Sequence, residues 1–263
     1  MPDADIAAIR ALLASRPRPT GTAERRRRLD DFGLALGVPE HARLEQIEIN
    51  GGVGAEWSTT PEADAARAVL YLHGGGYISG SIVSHRYVAV EIGRAARART
   101  LALDYRLAPE HPYPAQLEDA LAAYQYLRDQ GFAPGSTAVG GDSAGANLTL
   151  ALFLALRARG LPLPCCGWLI SPWSDLTASG ATMQTKANAD PMIQKPYLLE
   201  LAGAFAGGKE LGDPLTSPQH ADLAGLPPLL IQVGSDETLL DDAVTLAGRA
   251  GAARVAVTCR VSC

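Results

Sequence analysis

Ser143 lies in the run Gly141-Asp142-Ser143-Ala144-Gly145, and a second glycine run, His73-Gly74-Gly75-Gly76, stands upstream of it. A serine hydroxyl is a poor nucleophile until the fold holds it out and a base removes its proton. Glycines two residues before and after the serine let a strand turn tightly into a helix and leave Oγ at the edge of a sheet. The N–H of Ala144, at the start of that helix, then faces a developing oxyanion together with the helix dipole. Gly74 and Gly75 lack side chains, so their backbone can come close to a substrate carbonyl. The pattern predicts acyl transfer through Ser143, with an oxyanion hole built from Gly74, Gly75 and Ala144. His73 is a proton acceptor by type, but its place at a strand end predicts a structural role. Asp142 is expected to turn away from the serine hydroxyl and bond locally.

The elements that must position these residues follow from periodicity. Dense apolar runs at Ala68–Leu72, Thr100–Leu103, Thr137–Val139, Trp168–Ile170, Leu229–Val233 and Val255–Val261 read as strands. Helical spacing covers Ser84–Ala96, with Ser84 as its cap, then Gln116–Leu127, Ala144–Arg157 and Thr238–Ala250. Strands alternating with helices of this length predict a mostly parallel sheet covered on both faces. Leu44–Ile49 alternates like a half-buried edge strand, and Ile6–Leu13 and Arg25–Leu36 read as N-terminal helices. The segment from Ala181 to Pro218 breaks the rhythm. It holds one helix, Tyr197–Phe205, and no buried strand, as expected of a cap over a sheet. The expected organisation is one domain over residues 1–263, with cap elements at about 1–40 and 181–218.

Bulk properties narrow the function. The 263 residues are 47% hydrophobic, enough for one sizeable core, and carry a net charge of −5. That balance argues against a nucleic-acid partner. The one basic run, Arg25–Arg28, is flanked by Glu24 and Asp30 and reads as the solvated face of a helix. Cys165 and Cys166 lie in an apolar run and are expected to be buried, whereas Cys259 and Cys263 sit at the end as candidate reactive thiols. The histidines have no metal-ligand spacing. The N-terminus lacks a leader pattern, and no apolar stretch is long enough to span a bilayer, so a cytoplasmic protein is expected.

Three further stretches sharpen the reading: Tyr105 to Pro114 (YRLAPEHPYP), Ser171 to Thr177 (SPWSDLT) and Asp190-Pro191. With the two glycine-bearing motifs, they make residues 68–259 resemble the hormone-sensitive-lipase family of α/β-hydrolases, the bacterial family IV esterases. The resemblance implies an α/β-hydrolase fold with a small helical cap. It implies cleavage of short to medium acyl esters or lactones, with neither metal nor organic cofactor, and allows a homodimer. His111 and the stretch around it, with Asp190, become scaffold and cap anchors. The family's acid falls on the loop after Leu229–Val233. Aligning Leu239-Leu240-Asp241-Asp242 with the family's acidic motif places it at Glu237, with Asp236 as the alternative and Asp241 and Asp242 in a first helical turn.

The order serine, acid, histidine requires a histidine beyond that loop, yet none follows Glu237. The resemblance would place it a few residues past Cys263. The expectation is therefore a chain cut short: no last sheet-covering helix, an apolar face uncovered, and Ser143 impaired for want of its base. The alternative is a non-catalytic small-molecule-binding protein on the same scaffold. Plant gibberellin receptors resemble the family and have lost the histidine. The intact serine turn and glycine run favour the enzyme.

Overall fold

The apolar runs lie side by side in one sheet, seen in a computed structural model that describes residues 8, 10–13, 15, 19–49 and 52–262. Among these residues the sheet has eight strands, ordered β1-β2-β4-β3-β5-β6-β7-β8. They are β1 (Arg43–Ile49), β2 (Val53–Thr59), β3 (Asp64–Leu72), β4 (Ala98–Asp104), β5 (Thr137–Asp142), β6 (Cys166–Ile170), β7 (Leu229–Gly234) and β8 (Val257–Ser262). β1 and β2 run antiparallel to their neighbours and the rest are parallel. β1 is an edge strand as its alternation predicts. β2 escapes the periodicity because its V-G-A-E-W-S-T sequence mixes glycine and a glutamate into a largely buried strand.

Among the described residues the helices include α1 (Thr22–Leu36), α2 (Ile82–Ala96), α3 (Ala115–Asp129), α4 (Ala144–Ala158), α5 (Thr182–Thr185), α6 (Lys195–Ala206) and α7 (Leu240–Ala252). α4 is buried without a break from Ala144 to Leu156, which explains why its apolar residues run all round the helix. The cap of α2 is Ser81, not Ser84. Ser84 occupies the third helical position and completes a reciprocal capping box with Ser81. The helix expected over Ile6–Leu13 lies partly outside the described residues.

Two further expectations are corrected. Arg25 and Arg26 do not belong to a solvated face. Arg25 is buried and pairs bidentately with Glu200 of α6 at 2.8 and 3.1 Å, while Arg26 grips Glu110 and the carbonyls of Ile78 and Ala108. Charge alone could not reveal these partners, which lie far away in sequence. Cys165 is exposed and Cys166 half-buried, because this pair enters the sheet from a surface loop. No helix among the described residues is long and apolar enough to cross a membrane.

Candidate active site

The strand order changes direction at β3, whose neighbours are β4 on one side and β5 on the other. In open α/β sheets the crevice at such a switch point, beyond the carboxyl ends of the strands, is where ligands bind. Four adjacent strands end there. Register aligns Leu72 of β3 with Gly141 of β5, Asp142 of β5 with Ile170 of β6, and Ile170 with Gln232 of β7. The residues that follow these ends are the glycine run, Ser143, Ser171 and the loop bearing Glu237.

Ser143 sits at φ 52° and ψ −115°, a conformation non-glycine residues seldom adopt. Its backbone is held from both sides: Ser143 N–H donates to Ile170 O at 2.8 Å, and Trp173 N–H donates to Ser143 O at 3.2 Å. The small flanking residues are a steric requirement. A Cβ at Gly145 would collide with the carbonyl of Leu72, so only glycine lets α4 approach β3 this closely. The Ser143 side chain is half-buried, and its Oγ has no hydrogen-bond partner among the described residues.

The glycine loop departs from expectation at one position. Gly74 N–H donates to Asp142 Oδ1 at 2.9 Å, so that amide is already committed. By contrast, the N–H groups of Gly75, Gly76 and Ala144 meet no backbone or side-chain acceptor among the described residues. Gly75 has φ 116°, and its carbonyl accepts the amides of Ile78 and Ser79, closing a tight turn.

Asp142 is the electrostatic centre beneath this loop. Its Oδ1 also accepts the Tyr71 hydroxyl at 2.6 Å, and its Oδ2 faces His85 Nε2 at 3.5 Å. Burial pushes the carboxyl up, but the His85 charge and the hydrogen bonds from His85 and Tyr71 outweigh it and hold it at about 2. His85 is pushed down by burial and pulled up further by Asp142, for a net rise. His73 is different. It is buried against the Tyr105 ring, and burial with the neighbouring His85 charge lowers it to about 3. Its Nδ1 donates to Gly74 O at 2.7 Å and its Nε2 has no partner, which marks a neutral, structural imidazole.

The two candidate acids are separated by their surroundings. Glu237 is half-buried, and its Oε1 accepts Ser171 Oγ–H at 2.9 Å and Gly234 N–H at 2.7 Å. Burial raises its carboxyl, more than the Ser171 and Gly234 hydrogen bonds lower it, and the Asp190 charge adds to the rise. Asp236 is exposed and bound to Arg10 at 2.7 Å and Lys186 at 3.7 Å, with its carboxyl lowered chiefly by Arg10. Asp190 anchors this loop to the segment before α6. Its Oδ2 accepts Thr238 N–H and Oγ1–H, and its Oδ1 accepts the amides of Met192 and Ile193. Asp241 and Asp242 lie in the first turn of α7, and Asp242 is buried.

Residue reasoning missed two participants. Asn147 is buried one turn beyond Ser143. Its Oδ1 accepts the Tyr77 hydroxyl at 2.7 Å, and its Nδ2 donates to the carbonyls of Trp173 and Thr216. A lone amide in an otherwise apolar helix was the available signal. Ser171 was visible only as part of a motif. No described histidine is hydrogen-bonded to Ser143 or Glu237: His85 faces Asp142, His220 lies 3.3 Å from Asp175, and His111 is exposed. No group of three or more His, Cys, Asp or Glu among the described residues is placed to hold a metal ion.

A serine on a strained turn, free amides beside it and a clamped carboxylate two strands away are the parts that acyl transfer through a serine needs. Comparison with known proteins agrees. Residues 69–262 match the family model for the alpha/beta hydrolase fold. An acetyl-hydrolase of Streptomyces hygroscopicus is 47% identical over 211 residues, covering 80% of this chain and 69% of the relative. An esterase of Acinetobacter venetianus is 37% identical over 222 residues, covering 82% and 71%. A crystal structure of an esterase from the bacterial hormone-sensitive lipase family superposes with a TM-score of 0.93 at 46% identity, covering 99% of this chain and 86% of that one. This chain belongs to the hormone-sensitive-lipase-like α/β-hydrolases, a family of carboxylic ester hydrolases.

Proposed function

We propose that the chain cleaves small carboxylic esters by acyl transfer through Ser143, with Glu237 as the acid and an oxyanion hole formed by Gly75, Gly76 and Ala144. Gly76 takes the place first expected of Gly74, whose amide is held by Asp142. The observation that carries the reading is the half-buried Ser143 at φ 52°, beside amides that meet no protein acceptor.

In this mechanism Ser143 Oγ attacks the ester carbonyl and the oxygen that becomes negative is met by the three amides, which are already in place. The serine proton passes to an imidazole, whose second N–H is accepted by Glu237 Oε2. The alcohol leaves with that proton, and water then releases the acyl group by the same route. Short to medium acyl groups, as esters or lactones, are the proposed substrates. They are supported by relatives named acetyl-hydrolase and esterase. The chain is read as one hydrolase domain whose cap comprises α1 and the residues around α5 and α6. The Arg25–Glu200 pair, which fastens α1 to α6, supports that grouping.

A fluorophosphonate probe with imidazole in the buffer tests the nucleophile. One adduct is expected, on the peptide carrying Ser143, and none in Ser143→Ala. An adduct elsewhere, or no adduct at all, would contradict it.

A further inference from the structure

We infer that Ser171 is a positioning residue for the acid: its hydroxyl, with the Gly234 N–H, holds Oε1 of Glu237 and leaves Oε2 as the oxygen that meets the imidazole. The inference rests on the proposed role of Glu237 and adds to it a residue that determines how the carboxylate is presented.

The first support is the division of labour within the carboxylate. Both short contacts, 2.9 Å from Ser171 Oγ and 2.7 Å from Gly234 N, go to Oε1, and Oε2 has no partner among the described residues. A carboxylate with both oxygens free rotates about its last torsion. One held by two donors on a single oxygen points the other in a fixed direction.

The second support is where Ser171 stands. It follows β6 directly, at φ 43°, another left-handed conformation at a non-glycine residue. Its N–H donates to Gln232 O at 2.7 Å, which ties it to β7. The residues on either side of it grip the nucleophile: Ile170 O accepts Ser143 N–H at 2.8 Å, and Trp173 N–H donates to Ser143 O at 3.2 Å. One stretch of four residues therefore fixes the backbone of Ser143 and the carboxylate of Glu237 together. A serine chosen only to cap a strand would need neither the strained φ nor the reach across to the acid loop.

Two variants separate the hydroxyl from the backbone. Ser171→Ala removes the donor and keeps the strain, whereas Ser171→Gly removes the donor and relieves it. The carboxyl of Glu237 is titrated by 13C NMR in the full chain, and Ser143-dependent hydrolysis of p-nitrophenyl acetate is followed at a fixed imidazole concentration. Loss of a donor to the ionised form should raise the Glu237 midpoint in both variants. Both should also lose roughly tenfold in kcat with KM for the ester unchanged, an interaction expressed in the transition state. An unmoved midpoint, or a Ser171→Gly chain with the parent kcat, would overturn the inference. Glu237→Gln is the separate control. If it leaves the hydrolysis rate unchanged, Glu237 is not the acid, and the proposed mechanism fails whatever the NMR shows.

Discussion

The carboxylate of Asp142 accepts the amide of Gly74 at 2.9 Å, so the residue preceding Ser143 also fastens the loop that carries the proposed oxyanion donors. The same oxygen takes the Tyr71 hydroxyl, and the other faces His85. Asp142→Ala strands all three groups. Leaving buried donors unpaired costs roughly 1–3 kcal/mol each, so a loss of about 2–4 kcal/mol is expected, the side chain being partly exposed. Urea unfolding measures it. A variant within 0.5 kcal/mol of the parent, roughly the scatter of neutral surface changes, would contradict the fastening role.

Asn147 predicts a second loss of stability, located behind Ser143. Its amide serves Tyr77 of the glycine loop, the Trp173 carbonyl after β6 and the Thr216 carbonyl before β7. Asn147→Ala fills no polar need and deprives three buried groups of partners. We expect a loss of about 3 kcal/mol or more, with poor soluble yield. Asn147→Asp keeps the acceptor for Tyr77 but replaces the donor, and should be no more stable. Equal melting temperatures for parent and Asn147→Ala would remove Asn147 from the network.

Asp242 predicts a pH dependence. Its carboxyl is buried in the first turn of α7 and its Oδ2 accepts the amides of Ser174 and Asp175, both at 2.9 Å. Burial raises it, the Asp175 amide pulls it down, and the Asp175 charge raises it again, to about 8 overall. An unfolded aspartate titrates near 3.9, so over the interval between them the folded chain holds a proton that the unfolded chain has released. Stability from this group is therefore full below about pH 4 and is lost as pH rises through about 8. Asp242→Asn retains an acceptor for both amides and does not ionise. Between pH 5 and pH 9 the parent should lose a few kcal/mol relative to Asp242→Asn. A constant difference across that range would contradict a protonated Asp242.

Much of this site was legible before any coordinates, because the glycines are dictated by local sterics. Gly145 must be small where α4 meets Leu72, and that need survives as a motif. The central parallel strands also announced themselves, since a parallel strand buried on both faces reads as an unbroken apolar run. What stayed hidden depends on partners remote in sequence. Nothing near Gly74 shows that its amide is taken by a carboxylate from another strand. Nothing in Arg25-Arg26 reveals Glu200 and Glu110, which turn a basic run into two anchors. Glu237 and Asp236 are adjacent and equally acidic. Only the fold clamps one against Ser171 and leaves the other at the surface with Arg10.

The central claim is that the Ser143 hydroxyl performs acyl transfer, with an imidazole taking its proton. The most direct measurement is p-nitrophenyl acetate hydrolysis by the purified chain over a range of imidazole concentrations, beside Ser143→Ala. After subtraction of the rate that imidazole alone gives with this ester, a saturable rate is predicted that rises with imidazole by about 10²-fold over the chain without it, within the range that general bases contribute, and that disappears in Ser143→Ala. A rate identical in parent and Ser143→Ala at every imidazole concentration, or ester binding with no turnover, would contradict it.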